Sequence, residues 1–332
     1  MSSRVDSSES SYIRAVNQAL DDALGADSRV VIYGEDVAIP NGPFGATKGL
    51  HDKYGDRVFD TPISESAMIG AALGAAMGGL RPIVEIMYAD FLMVAMDQIV
   101  NQIANTRYVS EGRLGAPLVI RTQQGSTPGS CAQHSQSLEA MFAHVPGLQI
   151  AVPATPQDAY GILRDAASSD DPVMVFESRR LYPTKGAVAT GSGLGRVGQA
   201  DVVRSGTDVT IVTWGTVRAW AEEAADHVSE SGISCEVLDL RWISPWDRDA
   251  VVESVSKTGH LLVAHEAGRV GGFGAEILSS VVEELGPGLK GARRIGSDPV
   301  PMPSSPILSA AVLPSVDRLV AGIHSLLKEN VA

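Results

Sequence analysis

The sequence predicts an α/β protein built as two doubly wound domains, and three observations carry that prediction. Short β-branched runs recur between longer helix-compatible stretches, the pattern of buried parallel strands joined by crossover helices. The alternation stops once, in a Gly-rich stretch at about 183–200, and then resumes. A length of 332 residues with 44% hydrophobic content suits two ordinary cores better than one oversized core.

Taken in order, RVVIYGED (29–36), RPIVEIM (81–87), PLVIRTQQG (117–125), LQIAVP (148–153) and PVMVFE (172–177) read as strands of the first domain. Between them, 66–78 is a small-residue helix, 90–107 a longer helix, and 156–167 a helix opened by Thr155-Pro156, a cap followed by proline at the first helical position. PTKGAVATGSGLGRVGQ after Tyr182 has no apolar periodicity and reads as a linker. DVTIVTWG (208–215), ISCEVLDL (233–240) and HLLVAHE (260–266) follow as strands, with a final helix near 315–328. Gly193, Gly195 and Gly198 fit GxGxxG, but no strand precedes them and no helix follows, so a flexible connector is the better reading than a nicotinamide site.

Composition excludes several classes of function. A formal net charge of −13 leaves no excess of Lys and Arg for a phosphate backbone, so nucleic acid is not expected as a partner. The polar N-terminal stretch MSSRVDSSESSYIRAV has no apolar core of a signal peptide, and no apolar run reaches the roughly 20 residues of a membrane span. Two cysteines, Cys131 and Cys235, lack ligand or disulfide spacing, which fits a reducing cytoplasm.

A few residues could carry chemistry. Glu65 opens the small-residue helix 66–78, where a carboxylate suits the helix dipole; close packing around Ala, Gly and Met would also bury it and fit it for proton transfer. Glu35 follows strand 29–36 at its carboxyl end, where open α/β sheets place ligands, although a solvated loop acid reads the same way. Phe91 lies in an apolar stretch that could be simple core. His134 sits in GSTPGSCAQHSQS (125–137), whose small residues would let backbone approach a ligand beside an imidazole that titrates near neutrality.

The stretches GEDVA, GLHDKYGDRVFDTPISE, GLRPIVEIMYADFLMVAMDQIVNQIA, AQHSQSLEAMFAHVPGL, VLDLRWISPWD and HEAGRVGGFGAEI, in collinear order, resemble the β subunit of thiamine-diphosphate-dependent 2-oxoacid dehydrogenases, the E1 component of the transketolase-like superfamily. The resemblance implies a pyrimidine-binding domain at 1–185, a linker at 186–200 and a transketolase C-terminal-like domain at 201–332. It implies an enzyme in an α₂β₂ heterotetramer whose α subunit holds the diphosphate and Mg²⁺ through a GDG-type motif that this chain lacks. Glu65 would hydrogen-bond N1′ of the aminopyrimidine; Glu35, Ile63 and Phe91 would contact that ring. His134 would face the channel entered by the lipoyl arm of an E2 acyltransferase and help transfer the acyl group. The second domain would serve assembly and E2 docking.

Some positions depart from the family pattern. AASSDDP (166–172) puts Ser169 and Asp171 where a monovalent-cation site commonly has an acid and an amide, so potassium is not expected. Pro128 and Cys131 interrupt the loop before His134, and Ser304 and Ser309 replace a usual tyrosine and glutamate. AQHSQS and DFLMVAMDQIVNQ place acetoin and pyruvate ahead of branched-chain 2-oxoacids as substrate. Two other readings remain open on the residues alone: the β half of a thiamine-dependent acyloin or ketol transferase, and a non-catalytic assembly subunit on the same fold.

Overall fold

The computed structural model describes residues 7–328; the start of the polar N-terminal stretch (1–6), residues 329–332, and with them the outermost ends of the two expected domains, lie outside the described residues. Two compact units emerge. One holds the chain up to Gln124 together with Met141–Val197, and the other holds Gly125–Ala140 together with the chain from Gly198. Both are α/β, as the alternation of strands and helices predicts.

The first unit contains β1 (Ser7–Ser11), α1 (Tyr12–Ala26), β2 (Val30–Gly34), α2 (Leu50–Tyr54), β3 (Val58–Asp60), α3 (Glu65–Met77) and β4 (Arg81–Ile86). Then come α4 (Thr106–Val109), β5 (Val119–Gln124), α5 (Glu139–Ala143), which straddles the boundary, β6 (Gln149–Ala151), α6 (Pro156–Ala166), β7 (Val173–Ser178) and β8 (Lys185–Ala189). Six strands run parallel in the order β6-β7-β5-β4-β2-β3. Residues of α1 spaced for one helical face (Ala15, Val16, Ala19, Leu20, Ala23) are buried. Helix α6 starts where the Thr155-Pro156 signal puts it: the Asp158 amide donates to Thr155 Oγ1 at 3.1 Å.

Two sequence expectations are corrected by the fold, and one strand that the sequence did not suggest is added. The stretch 90–107 is not one helix but a 3₁₀ segment (Ala89–Ala95), a π-helical segment (Gln98–Ile103) and the short α4. Side chains compete for its carbonyls: Ser66 Oγ donates to Val94 O at 2.5 Å, Asn105 Nδ2 to Asn101 O at 3.2 Å and Thr106 Oγ1 to Gln102 O at 2.8 Å. The presumed linker contributes β8, and the polar N-terminal stretch contributes β1, the two pairing antiparallel from Ser7–Ala189 to Ser11–Lys185. Neither strand has an apolar alternation, because pairing rather than burial makes them.

The second unit contains β9 (Asp201–Arg204), β10 (Val209–Thr213), α7 (Val217–Ser229), β11 (Cys235–Asp239), β12 (Trp242–Ser244), α8 (Arg248–Thr258), β13 (His260–Gly268), α9 (Gly274–Leu285), β14 (Gly291–Ser297), α10 (Pro306–Val312) and α11 (Val316–Lys328). Its sheet runs β14-β13-β10-β11-β9, with only β9 antiparallel. Val209, Ile211, Val237 and Leu262 from the sheet pack with Ala221 and Ala225 of α7 and Leu319 and Ile323 of α11. Pro306–Lys328 is long and apolar enough for a membrane span by length and composition. Pro314 lies between α10 and α11, however, and the apolar face of α11 covers this core, which is the better account of its hydropathy.

Candidate functional site

Strand order reverses around β2, since β3 lies on one side and β4 on the other, so the carboxyl ends of these strands form a switch-point crevice. The crevice is where the first unit gathers its candidate residues. Glu35 follows β2, Glu65 opens α3 after β3, and Phe91 follows β4 in the 3₁₀ segment. Glu65 is only 6% exposed, whereas Ile63, two residues earlier, is 78% exposed. Burial, and then the negative charges of Glu65, Asp36 and Glu85, raise the Glu35 carboxyl above its ordinary range. The loop after Glu35 is pinned by Asp60, which accepts from the amides of Ala38 at 2.7 Å and Ile39 at 3.2 Å. Tyr33 at the end of β2 donates to Met68 O at 3.0 Å and stacks on Phe59, tying β2 to α3.

Beneath that edge lies a buried ion cluster. Arg121 of β5 is fully buried and bonds Glu85 of β4 and Glu177 of β7, the latter with its Nε at 2.7 Å and Nη2 at 2.9 Å; Tyr182 donates to Glu177 at 2.7 Å. The two carboxylates hold the guanidinium protonated against burial. Gln123 extends the network outward, donating to Glu85 Oε1 at 3.2 Å and accepting the Tyr88 amide at 3.3 Å. Tyr88 needs that support, having φ +69° without being glycine. Its ring meets Phe91 edge-on at 6.0 Å and carries the Arg179 guanidinium at 4.9 Å. Tyr88, Gln123 and Arg121 were not singled out from sequence; the polar run RTQQ ending an otherwise apolar strand is the signal that marks Arg121 and Gln123, and no local signal marks Tyr88.

His134 belongs to the other unit, in the loop Gly125–Ala140. Hydroxyls hold this loop: Ser130 Oγ and Ser135 Oγ are 2.6 Å apart, Ser135 donates to Cys131 O at 2.5 Å, and Ser130 Oγ accepts from the Thr127 amide at 3.0 Å. Ser135 is buried and the adjacent His134 half-buried. Cys131 sits at φ +51° with its Sγ 2.9 Å from Gln133 Oε1. A cavity of 470 Å³ undercuts the loop, lined by Ser135 and Leu138 on one side and Glu266, Ser297 and Met302 on the other.

Two further sequence features resolve. In the turn 169–171, Arg81 donates to Ser169 O at 2.7 Å, and Arg107 bonds Asp171 Oδ1 at 2.6 Å and Asp170 O at 3.1 Å. Two guanidinium groups thus meet oxygens of this turn. In the GxGxxG stretch, the amides of Gly193 and Gly195 donate to the Asp165 carboxylate at 2.8 and 2.6 Å, and β9 rather than a helix follows.

Residues 8–185 match the transketolase pyrimidine-binding domain and residues 198–319 the transketolase C-terminal domain. The chain is 40% identical over 325 residues to the β subunit of acetoin:2,6-dichlorophenolindophenol oxidoreductase of Cupriavidus necator, covering 95% of this chain and 96% of that one. It is 40% identical over 322 residues to the 2-oxoisovalerate dehydrogenase β subunit of Bacillus subtilis (95% and 98%), and 43% over 312 to a mitochondrial pyruvate dehydrogenase E1 β subunit of Oryza sativa subsp. japonica (92% and 83%). A solved split-gene transketolase, an inactive β₄ tetramer, has the same fold at TM-score 0.75 and 24% identity, covering 96% of this chain and 98% of that one. The chain belongs to the transketolase-type family, with pyrimidine-binding and C-terminal domains, that includes these dehydrogenase β subunits.

Proposed function

We propose that the chain is the β component of a thiamine-diphosphate-dependent E1 dehydrogenase, active with an α partner, that takes an acyl unit from acetoin or pyruvate and delivers it to the lipoyl group of an E2 acyltransferase. The observation that carries the reading is a buried carboxylate, Glu65, opening α3 at the switch-point crevice. Its setting is a chain about 40% identical to such β subunits over 95% of its length. Acetoin and pyruvate stand ahead of branched-chain 2-oxoacids on the AQHSQS and DFLMVAMDQIVNQ stretches. Cys131 and Cys235 are both free thiols, which supports a cytoplasmic home.

The crevice residues fit the cofactor's pyrimidine. Ile63 presents an uncovered aliphatic surface, Phe91 an aromatic one, and Thr61 Oγ1, one residue past β3, and Gln124 Oε1, at the end of β5, are buried without a partner. When bound, thiamine diphosphate supplies the carbanion chemistry and the electron sink. Glu65, buried at the head of α3, would hold the ring at N1′ and move a proton there. Glu35, whose carboxyl burial and its acidic neighbours raise above its ordinary range, would support the same edge. His134 in the second unit serves the acyl transfer, and the α partner supplies the diphosphate and Mg²⁺ ligands.

The test is turnover of the chain co-expressed with its α partner, with thiamine diphosphate and Mg²⁺, on acetoin, pyruvate and 3-methyl-2-oxobutanoate, using 2,6-dichlorophenolindophenol as acceptor. Turnover of acetoin or pyruvate is expected, falling about 10²- to 10⁴-fold in Glu65→Gln. A folded, cofactor-loaded complex that turns over none of the three would sink the reading; preference for the branched substrate would sink the substrate assignment alone.

A further inference from the structure

The loop that carries His134 is gripped at both ends by the rest of the second unit. At its start, the Ser126 amide donates to Glu266 Oε1 at 2.6 Å. That approach requires Gly125: a Cβ there would stand 2.8 Å from the Glu266 carboxylate oxygen, and φ is +82°. At its end, Trp214 Nε1 donates to Glu139 Oε1 at 2.9 Å, with Trp214 2% and Glu139 1% exposed. Between the grips the hydroxyl bond between Ser130 and Ser135 holds the interior, and a cavity lies beneath Ser135 and Leu138.

Both grips start from strand ends of one sheet. Trp214 follows β10, Glu266 lies near the end of β13, and these two strands are neighbours. Trp214 is fixed in turn by His265, which stacks on it at 4.9 Å and 15°. His265 is fully buried, and its Nδ1 lies 3.1 Å from Ala267 O; a carbonyl only accepts, so Nδ1 carries the proton. Gly272 and Gly274 make room for this ring, since a Cβ on either would stand 2.6 to 2.7 Å from its atoms. A hydrogen bond to a buried carboxylate on a rigid, stacked indole is a precise anchor for a loop built of small residues.

We propose that Trp214 and Glu266 are positioning residues for His134, clamping the two ends of its loop so that the imidazole is held for acyl transfer. This rests on the reading of His134 as the acyl-transfer residue, and it gives the second domain a part in the chemistry beside assembly. Neither residue touches substrate; both act through the loop.

The test uses the α/β holoenzyme and two acceptors, an isolated lipoyl domain and 2,6-dichlorophenolindophenol, and reads the ratio of lipoyl acylation to dye reduction. Trp214→Phe keeps the stack on His265 and loses the donor; Glu266→Ala loses the acceptor and Glu266→Gln restores one. The ratio is expected to fall about tenfold in Trp214→Phe and Glu266→Ala, as for a misplaced catalytic group, and to recover in Glu266→Gln. On a His134→Ala background the same changes should lower it less than twofold, since the residue they act through is gone. Amide hydrogen exchange across residues 126–139 should quicken in both loss variants whatever His134 does. Equal loss in the two assays, full additivity with His134→Ala, or unchanged exchange would each overturn the clamp. An unchanged ratio in His134→Ala itself would instead show that the reading of His134 has failed, and the positioning role with it.

Discussion

The two units share a doubly wound topology yet treat their switch points in opposite ways. Around β2, the first unit sets carboxylates and an uncovered isoleucine at the strand ends and stabilises the edge from below with the buried ions of Arg121, Glu85 and Glu177. Around β10 and β13, the second unit fills the equivalent position with Trp214 stacked on a neutral His265. One edge is kept polar and open to a ligand, and the other is plugged and used to hold a loop. The same sheet geometry therefore yields a binding edge or a mounting point, depending on whether ions or aromatic rings occupy the strand ends.

The contrast can be broken most severely from the first unit. Arg121→Met leaves two buried carboxylates without their cation and should destabilise the chain by about 3–5 kcal/mol. Equilibrium denaturation reads this directly; a loss below 1 kcal/mol would mean that the cluster is not what supports the edge.

The second unit's plug gives a smaller, pH-dependent effect. Burial lowers the His265 pKa from 6.5 to about 4, so the folded state refuses a proton that the unfolded chain takes up. The contribution is fully present above pH 6.5 and is lost as pH falls towards 4, about 3 kcal/mol in total. Denaturation midpoints of wild type and His265→Gln at pH 7 and pH 4.5 should converge at the lower pH. Parallel curves would contradict a neutral, buried imidazole.

The smallest effect belongs to Glu35. Its carboxyl is raised, so the folded state keeps a proton that the unfolded chain releases, and stability falls as pH rises from 4.5 through the raised value. Glu35→Gln should remove that downward slope, visible as a difference between the two pH–stability profiles. A slope that persists in the variant would assign it to other acids of the crevice.

Strands with continuous β-branched runs were legible in the sequence because burial on both faces writes itself into composition. The candidate site is legible where a residue type clashes with its surroundings: Glu65 at the head of an Ala- and Gly-rich helix, Glu35 at a strand's carboxyl end. What escaped depends on partners far along the chain. Strand β1 exists because β8 pairs with it, the 89–103 stretch loses its regular ladder partly to a hydroxyl from Ser66, and the Trp214–Glu139 bond joins residues 75 apart. The grouping of Gly125–Ala140 with the second unit is of the same kind, since nothing local to the loop encodes the glutamate and indole that hold it.

The central claim is that Glu65 controls a proton on the cofactor. Exchange of the thiazolium C2 proton with deuterium, followed by NMR after rapid quench in the α/β complex loaded with thiamine diphosphate, tests it most directly. Glu65→Gln is expected to slow the exchange by at least about 10²-fold while the cofactor remains bound. Exchange at the wild-type rate in a loaded variant would contradict it.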